Sequence, residues 1–188
     1  MPPKWDAMLR IALLTVHIAT GSAGLVLGPV IMRAPKRRGR HTNLGDVYHW
    51  LVLAMAVTAG GLAIVRWSTL WWFLPIAIGS YAFAFLGYVS AKRRRPGWLR
   101  AHITGQGGSY IALCTAFLVV NSGIGSVWAW IAPTIVGSVI ITYVQREVDL
   151  GRRPKAWVTS GRTADDDTRA GAPAPAVGVD DLAADAGR

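Results

Sequence analysis

Charge along this chain is confined to short clusters, and between them run apolar stretches about as long as a bilayer is thick. From Ile103 to Gln145 there is no Asp, Glu, Lys or Arg over 43 residues. Shorter uncharged stretches cover 11–32, 47–65 and 68–91. About 20 apolar residues in a helix match the roughly 30 Å of bilayer hydrocarbon, because each residue rises 1.5 Å. The pattern predicts an all-α fold, a polytopic membrane helix bundle with five transmembrane helices at about 10–32, 46–66, 69–91, 103–121 and 127–145.

Two of those boundaries rest on single features. Val47–Ala91 is too long for one crossing and carries Arg66 near its middle. An arginine at the bilayer centre costs about 2.5–3.5 kcal/mol on insertion scales, so Arg66 marks a turn at the surface. The 43-residue run must also fold back, and Asn121-Ser122-Gly123-Ile124-Gly125-Ser126 is its cluster of turn residues. Pro29, Pro75 and Pro133 fall inside spans, where a neighbouring helix or a hydroxyl can take up the freed carbonyl.

The basic residues predict an orientation. The connections after spans one, three and five hold fourteen Lys and Arg, among them Lys36–Arg38 and Lys92–Arg95, whereas the opposite side holds three, Lys4, Arg10 and Arg66. By the positive-inside rule the N-terminus lies outside and the C-terminus in the cytoplasm, which makes this a multi-pass protein of the bacterial inner (cytoplasmic) membrane. The nine tryptophans agree. Trp5, Trp67, Trp71, Trp72, Trp128 and Trp130 fall at outer ends of spans, and Trp50, Trp98 and Trp157 at or beyond inner ends, where an indole prefers the headgroup zone.

Composition sharpens the division into parts. The chain has 188 residues and a net charge of +10. The membrane domain is read as 1–158, and 159–188 as a disordered cytoplasmic tail rich in Ala, Gly, Pro and Asp, without an aromatic residue to build a core. The basic clusters sit directly beside apolar spans, so the lipid bilayer, not nucleic acid, is the partner they imply. The single cysteine, Cys114, cannot form an internal disulfide and reads as a small buried hydrophobe. Gly21-Ser22-Ala23 would suit a signal peptidase, but the apolar run continues to Ile31 before Arg33, so the first span is retained.

Candidate chemistry lies with four histidines. His17 sits roughly 9–10 Å below the outer surface, from its six residues past Ile11. A ring at that depth needs a hydrogen bond, for instance to Thr20 or Ser22 on its own helix or to Asn121 across the bundle. His41, His49 and His102 gather at the cytoplasmic end. Asp46, three residues before His49, is placed to orient that ring, and Asn43 to cap the helix. His102, Gln106, Ser109 and Tyr110 form a polar stripe on span four, which reads as helix–helix glue or as a binding groove. Gly21, Gly24 and Gly28 share a face of span one, a spacing that lets helices approach closely within the chain or in a homo-oligomer. A partner in a membrane complex is equally open.

These residues exclude several functions. There is no Gly-x-Ser-x-Gly, no His-Glu-x-x-His and no acid at depth, which argues against a hydrolase and against ion-coupled transport. The leading reading is a non-catalytic subunit or small-molecule binder. The alternative is a haem- or quinone-linked redox protein in which His49 and His102, at matching depth, ligate one haem b. A further alternative is passive permeation of a small neutral solute past His17 and Gly28.

Three segments together resemble a known group. They are His17-Ile18-Ala19-Thr20-Gly21 through Leu27-Gly28-Pro29, His41-Thr42-Asn43-Leu44-Gly45-Asp46-Val47-Tyr48, and Trp98-x3-His102 leading into Gly108-Ser109-Tyr110 and on to Asn121. The chain resembles the predicted bacterial membrane proteins of domain of unknown function 2306 over about residues 10–145. The resemblance implies a multi-helix membrane architecture, supplies no activity, and points to His17, Gly28, His41, Gly45, Tyr48, His102 and Tyr110 as functional positions. Thr42 and Asp46 stand where that pattern more often has a basic residue.

Overall fold

The computed structural model describes residues 4–35 and 39–151. The chain divides into two units, Met1–Val158 and Thr159–Arg188. The second, where the sequence predicts a disordered tail, lies outside the described residues, as do Lys36–Arg38 and Trp157. The described residues form α1 (Lys4–Arg33), α2 (Arg40–Val65), the single-turn α3 (Trp67–Leu70), α4 (Phe73–Arg93), α5 (Trp98–Ser122) and α6 (Val127–Asp149). No strand occurs among them. All but α3 are long and apolar enough to cross a membrane, so this is an all-helical, multi-pass architecture with five candidate spans.

The helices outrun the apolar stretches that predict them. α1 starts at Lys4, α2 at Arg40 and α5 at Trp98, several residues before the uncharged runs begin. Basic residues and tryptophan are acceptable helix formers, so a helix does not stop where hydrocarbon does. Both expected turns are present. Arg66 leaves the helical conformation between α2 and α3 (φ −119°, ψ 44°), and α5 ends at Ser122 before Gly123 (φ 89°). The Trp130 indole N–H closes the second turn by donating to the Ile124 carbonyl at 3.1 Å.

One expected boundary moves. The third long helix begins at Phe73, not near 69, because α3 and Trp71–Trp72 intervene. Pro75 therefore falls in the first turn of α4, where its missing N–H would have had no acceptor in any case. Pro29 and Pro133 do lie inside helices.

Four helices close a ring in which α2 packs on α1 and α4, and α5 packs on α4 and α1. α6 packs on α5, so of its residues only Ala129 is buried. The core is centred on Tyr48, Val52 and Ala84, with Leu27, Met55, Tyr81 and Tyr110 packed around it. Outward-facing apolar side chains such as Val26, Val57, Val120 and Val139 stay more than 60% exposed. An apolar surface on that scale marks a membrane-facing exterior.

The closest approach in the ring joins α4 to α5. A β-carbon at Gly105 would lie 2.6 Å from the Gly87 Cα, so the two backbones cross in direct contact. Without a hydrophobic drive between helices in lipid, such small-residue crossings supply the packing.

Candidate functional site

The polar stripe of α5 turns out to be the joint of the bundle. His102 Nδ1–H donates to the Gly87 carbonyl at 2.9 Å, and Gln106 donates to the Ala84 carbonyl at 3.1 Å, one on each side of the Gly105 crossing. Ser109 meets the Tyr48 hydroxyl of α2 at 3.3 Å, with both side chains buried. Tyr110 donates to the Leu25 carbonyl of α1 at 3.1 Å. Four side chains spaced four, three and one apart thus tie α5 to the three other helices of the ring. Of the two readings of this stripe, the geometry matches glue.

The Tyr110 contact has a local cause. Pro29 has no N–H, so the Leu25 carbonyl four residues back loses its helical donor. Tyr110 supplies the replacement. Its ring reaches that carbonyl by crossing α1 at Gly28, where any β-carbon would overlap the ring. Gly28, Pro29 and Tyr110 therefore act as one unit. Gly45 is different, since a β-carbon there would meet nothing within 4 Å.

His17 bonds across to α2. Its Nδ1 lies 3.1 Å from the Met55 carbonyl and 3.2 Å from the Thr58 hydroxyl. The Thr58 proton is directed at the Ala54 and Met55 carbonyls, so both groups accept and His17 Nδ1–H donates. Of the partners expected from sequence, Thr20 bonds back to Val16 and His17, and Asn121 to Phe117. The permeation reading singled out His17 and Gly28, and both are occupied in helix–helix contacts.

His41 and His102 lie together, their rings 6.4 Å apart and edge to face. His41 Nδ1–H donates to the Ile31 carbonyl at 3.3 Å. The sequence reading paired His102 with His49 instead. In the structure the rings around His49 are Trp50, Tyr81 and Tyr88, and the histidine ring that meets His102 is that of His41. Among the described residues no group of three or more His, Cys, Asp or Glu could hold a metal ion.

His49 stands apart from the other histidines. It is 5% exposed, and its enclosed Nδ1 has no hydrogen-bond partner among the described residues. A buried N–H without an acceptor is rarer in proteins than a buried lone pair without a donor. The proton therefore belongs on Nε2, the reverse of the other three histidines, each of which donates from Nδ1.

Around it runs a ladder of rings. Tyr88 stacks on His49 at 4.0 Å and 15°, Tyr81 lies 5.7 Å away, and Phe85 is 6.0 Å beyond Tyr81. On the other side the Lys92 ammonium sits 5.0 Å over the Tyr88 ring and pairs with Asp46 at 2.9 Å. Asp46 is thus bound to Lys92 of α4 and is not the partner of His49. Nor does Asn43 cap α2, which begins at Arg40 after Gly39 without a side-chain cap.

Tyr81 leads from His49 into an apolar groove of about 460 Å³ between α2 and α4. Leu53, Ala56 and Gly60 line it from α2, and Ala77, Tyr81 and Phe85 from α4. Val57 and Ile78 also line it while staying largely exposed, so it opens to the outside of the bundle. Sequence reasoning passed over Tyr81 and Tyr88. The available signal was their spacing of seven, two turns along one face of α4, with Lys92 four residues further.

Comparison of this chain with family models, with characterised proteins and with solved structures finds no match.

Proposed function

We propose that this chain is a multi-pass protein of the bacterial inner membrane, N-terminus outside, that binds a lipid-soluble small molecule with a hydrogen-bond-accepting head. Quinones are the class that suits the site. The observation that carries the reading is His49, whose enclosed Nδ1 lacks a partner and so leaves the proton on Nε2, set among aromatic rings near an apolar groove that Tyr81 lines. A quinone carbonyl accepts one hydrogen bond from Nε2–H, its flat ring lies among Tyr81, Tyr88 and Trp50, and its isoprenoid tail follows the groove. The groove volume falls within the roughly 300–1,000 Å³ usual for small-molecule sites. The orientation rests on the basic clusters, and the likeness to domain of unknown function 2306 belongs to the same proposal. The role is binding rather than catalysis, in a membrane complex or alone.

The test titrates a short-chain quinone into the full-length chain in neutral detergent and follows tryptophan quenching, Trp50 being 5.6 Å from His49. Saturable quenching is expected. His49→Leu should weaken it about two- to tenfold, the worth of one hydrogen bond of roughly 0.5–1.5 kcal/mol. Ala77→Trp, which fills the groove, should abolish saturation. Quenching that rises linearly with partitioned quinone, or saturates alike in all three proteins, would refute the reading.

A further inference from the structure

A second cavity, of about 220 Å³, lies at the turn between α4 and α5 and is independent of the His49 groove. Arg93, Arg95, Ser90 and Trp98 are among the residues that line it. It is smaller than the roughly 300–1,000 Å³ of sites for whole drug-sized ligands, which suits a single headgroup. Ser90 already gives its proton to the Leu86 carbonyl at 2.7 Å. Arg93 and Arg95 are the cationic side chains of its lining.

The charges around the turn are sorted unevenly. Lys92 is neutralised by Asp46 at 2.9 Å and Arg100 by Asp149 at 2.8 Å. Among the described residues, Arg93 and Arg95 have no ion pair. Between them Arg94 adopts the left-handed conformation (φ 47°, ψ 37°) with its guanidinium 5.4 Å over the Trp98 ring. A residue with a β-carbon costs about 1–2 kcal/mol there, so glycine is the usual choice after a helix. Keeping arginine at this position adds a third cation beside the cavity and fixes the indole that forms its wall.

We propose that this cavity holds the phosphodiester of an anionic phospholipid between Arg93 and Arg95, with its glycerol side against Trp98. The chemistry suits that source: guanidinium forks match phosphate oxygens, tryptophan prefers the headgroup zone, and basic pockets between spans are a recurring form of anionic-lipid site. The inference rests on the chain lying in a bilayer and not on what His49 binds.

The experiment uses the full-length chain in neutral detergent, titrated separately with phosphatidylglycerol, phosphatidylcholine and inorganic phosphate, with bound lipid counted by native mass spectrometry. Phosphatidylglycerol should bind in preference to phosphatidylcholine. The double variant Arg93→Gln/Arg95→Gln should weaken phosphatidylglycerol roughly thirtyfold, from about 1 kcal/mol per basic residue at a membrane surface. The control Arg40→Gln/Arg146→Gln removes the same charge at other helix ends and should change binding by less than threefold. Equal losses in both double variants would show a diffuse charge effect and overturn the site. Inorganic phosphate that displaces the lipid at millimolar concentration would overturn the lipid as its occupant. Gel filtration and helical circular dichroism of each variant separate loss of binding from loss of fold.

Discussion

Replacing Tyr110 by phenylalanine should cost much more stability than an ordinary hydrogen bond in a membrane, and the excess should disappear when Pro29 is also replaced. The Tyr110 hydroxyl donates to the Leu25 carbonyl at 3.1 Å, which Pro29 deprives of its helical donor. Side-chain bonds between membrane helices average about 0.6 kcal/mol and reach about 1.7 kcal/mol. A buried acceptor left bare costs about 1–3 kcal/mol. We therefore expect Tyr110→Phe to cost about 1.5 kcal/mol in the natural chain. Pro29→Ala restores the N–H to residue 29, and the Leu25 carbonyl regains its own helix as a partner. In that background Tyr110→Phe should cost only about 0.5 kcal/mol. The coupling of about 1 kcal/mol exceeds the ~0.3–0.5 kcal/mol within which independent sites add. It is measured as a double-mutant cycle, by reversible unfolding of the four proteins in mixed micelles of rising dodecyl sulfate, read by tryptophan fluorescence. Gly28→Ala, which pushes a methyl group into the Tyr110 ring, should remove the same coupling. If Tyr110→Phe costs the same with and without Pro29, the hydroxyl is not serving the orphaned carbonyl and the argument is wrong.

Other consequences follow from the same geometry. Gly105→Ala forces a methyl group against the Gly87 backbone and should lower stability by about 1–3 kcal/mol, whereas Gly45→Ala, which meets nothing, should raise it by about 0.5–1 kcal/mol; equal effects in the same unfolding assay would mean that α4 and α5 do not cross where described. His17→Leu should cost about 0.6–1.7 kcal/mol, and Thr58→Val should add less than its own full cost in that background, since it removes one of the two contacts that His17→Leu already removes; full additivity would separate the two residues. A reporter enzyme that works only outside the cytoplasm should be active when fused after Gly125 and silent after Gly39, and the reverse result would invert the proposed orientation.

The sequence by itself determined the class of fold and most of the turns. Arg66 ends α2, and the Asn121–Ser126 cluster separates α5 from α6, because the cost of charge in hydrocarbon and the bend of a glycine turn belong to the residues themselves. Helix ends were less legible, since helices continue past the hydrocarbon into the polar zone, as α1 does from Lys4 and α2 from Arg40. That His102, Gln106, Ser109 and Tyr110 form one stripe was also readable, from helical spacing alone.

Only the tertiary structure decided who meets whom. It gave His17 to Thr58, Asp46 to Lys92, His41 to His102 and Tyr110 to Leu25, across separations of 41 to 85 residues, and it left the Nδ1 of His49 among tyrosines with no hydrogen-bond partner. The physical reason is that in lipid nearly every face of a spanning helix is apolar, so no amphipathic stripe announces which side turns inward. Steric fit at glycines and a few buried hydrogen bonds choose the neighbours, and those terms exist only once the helices have come together.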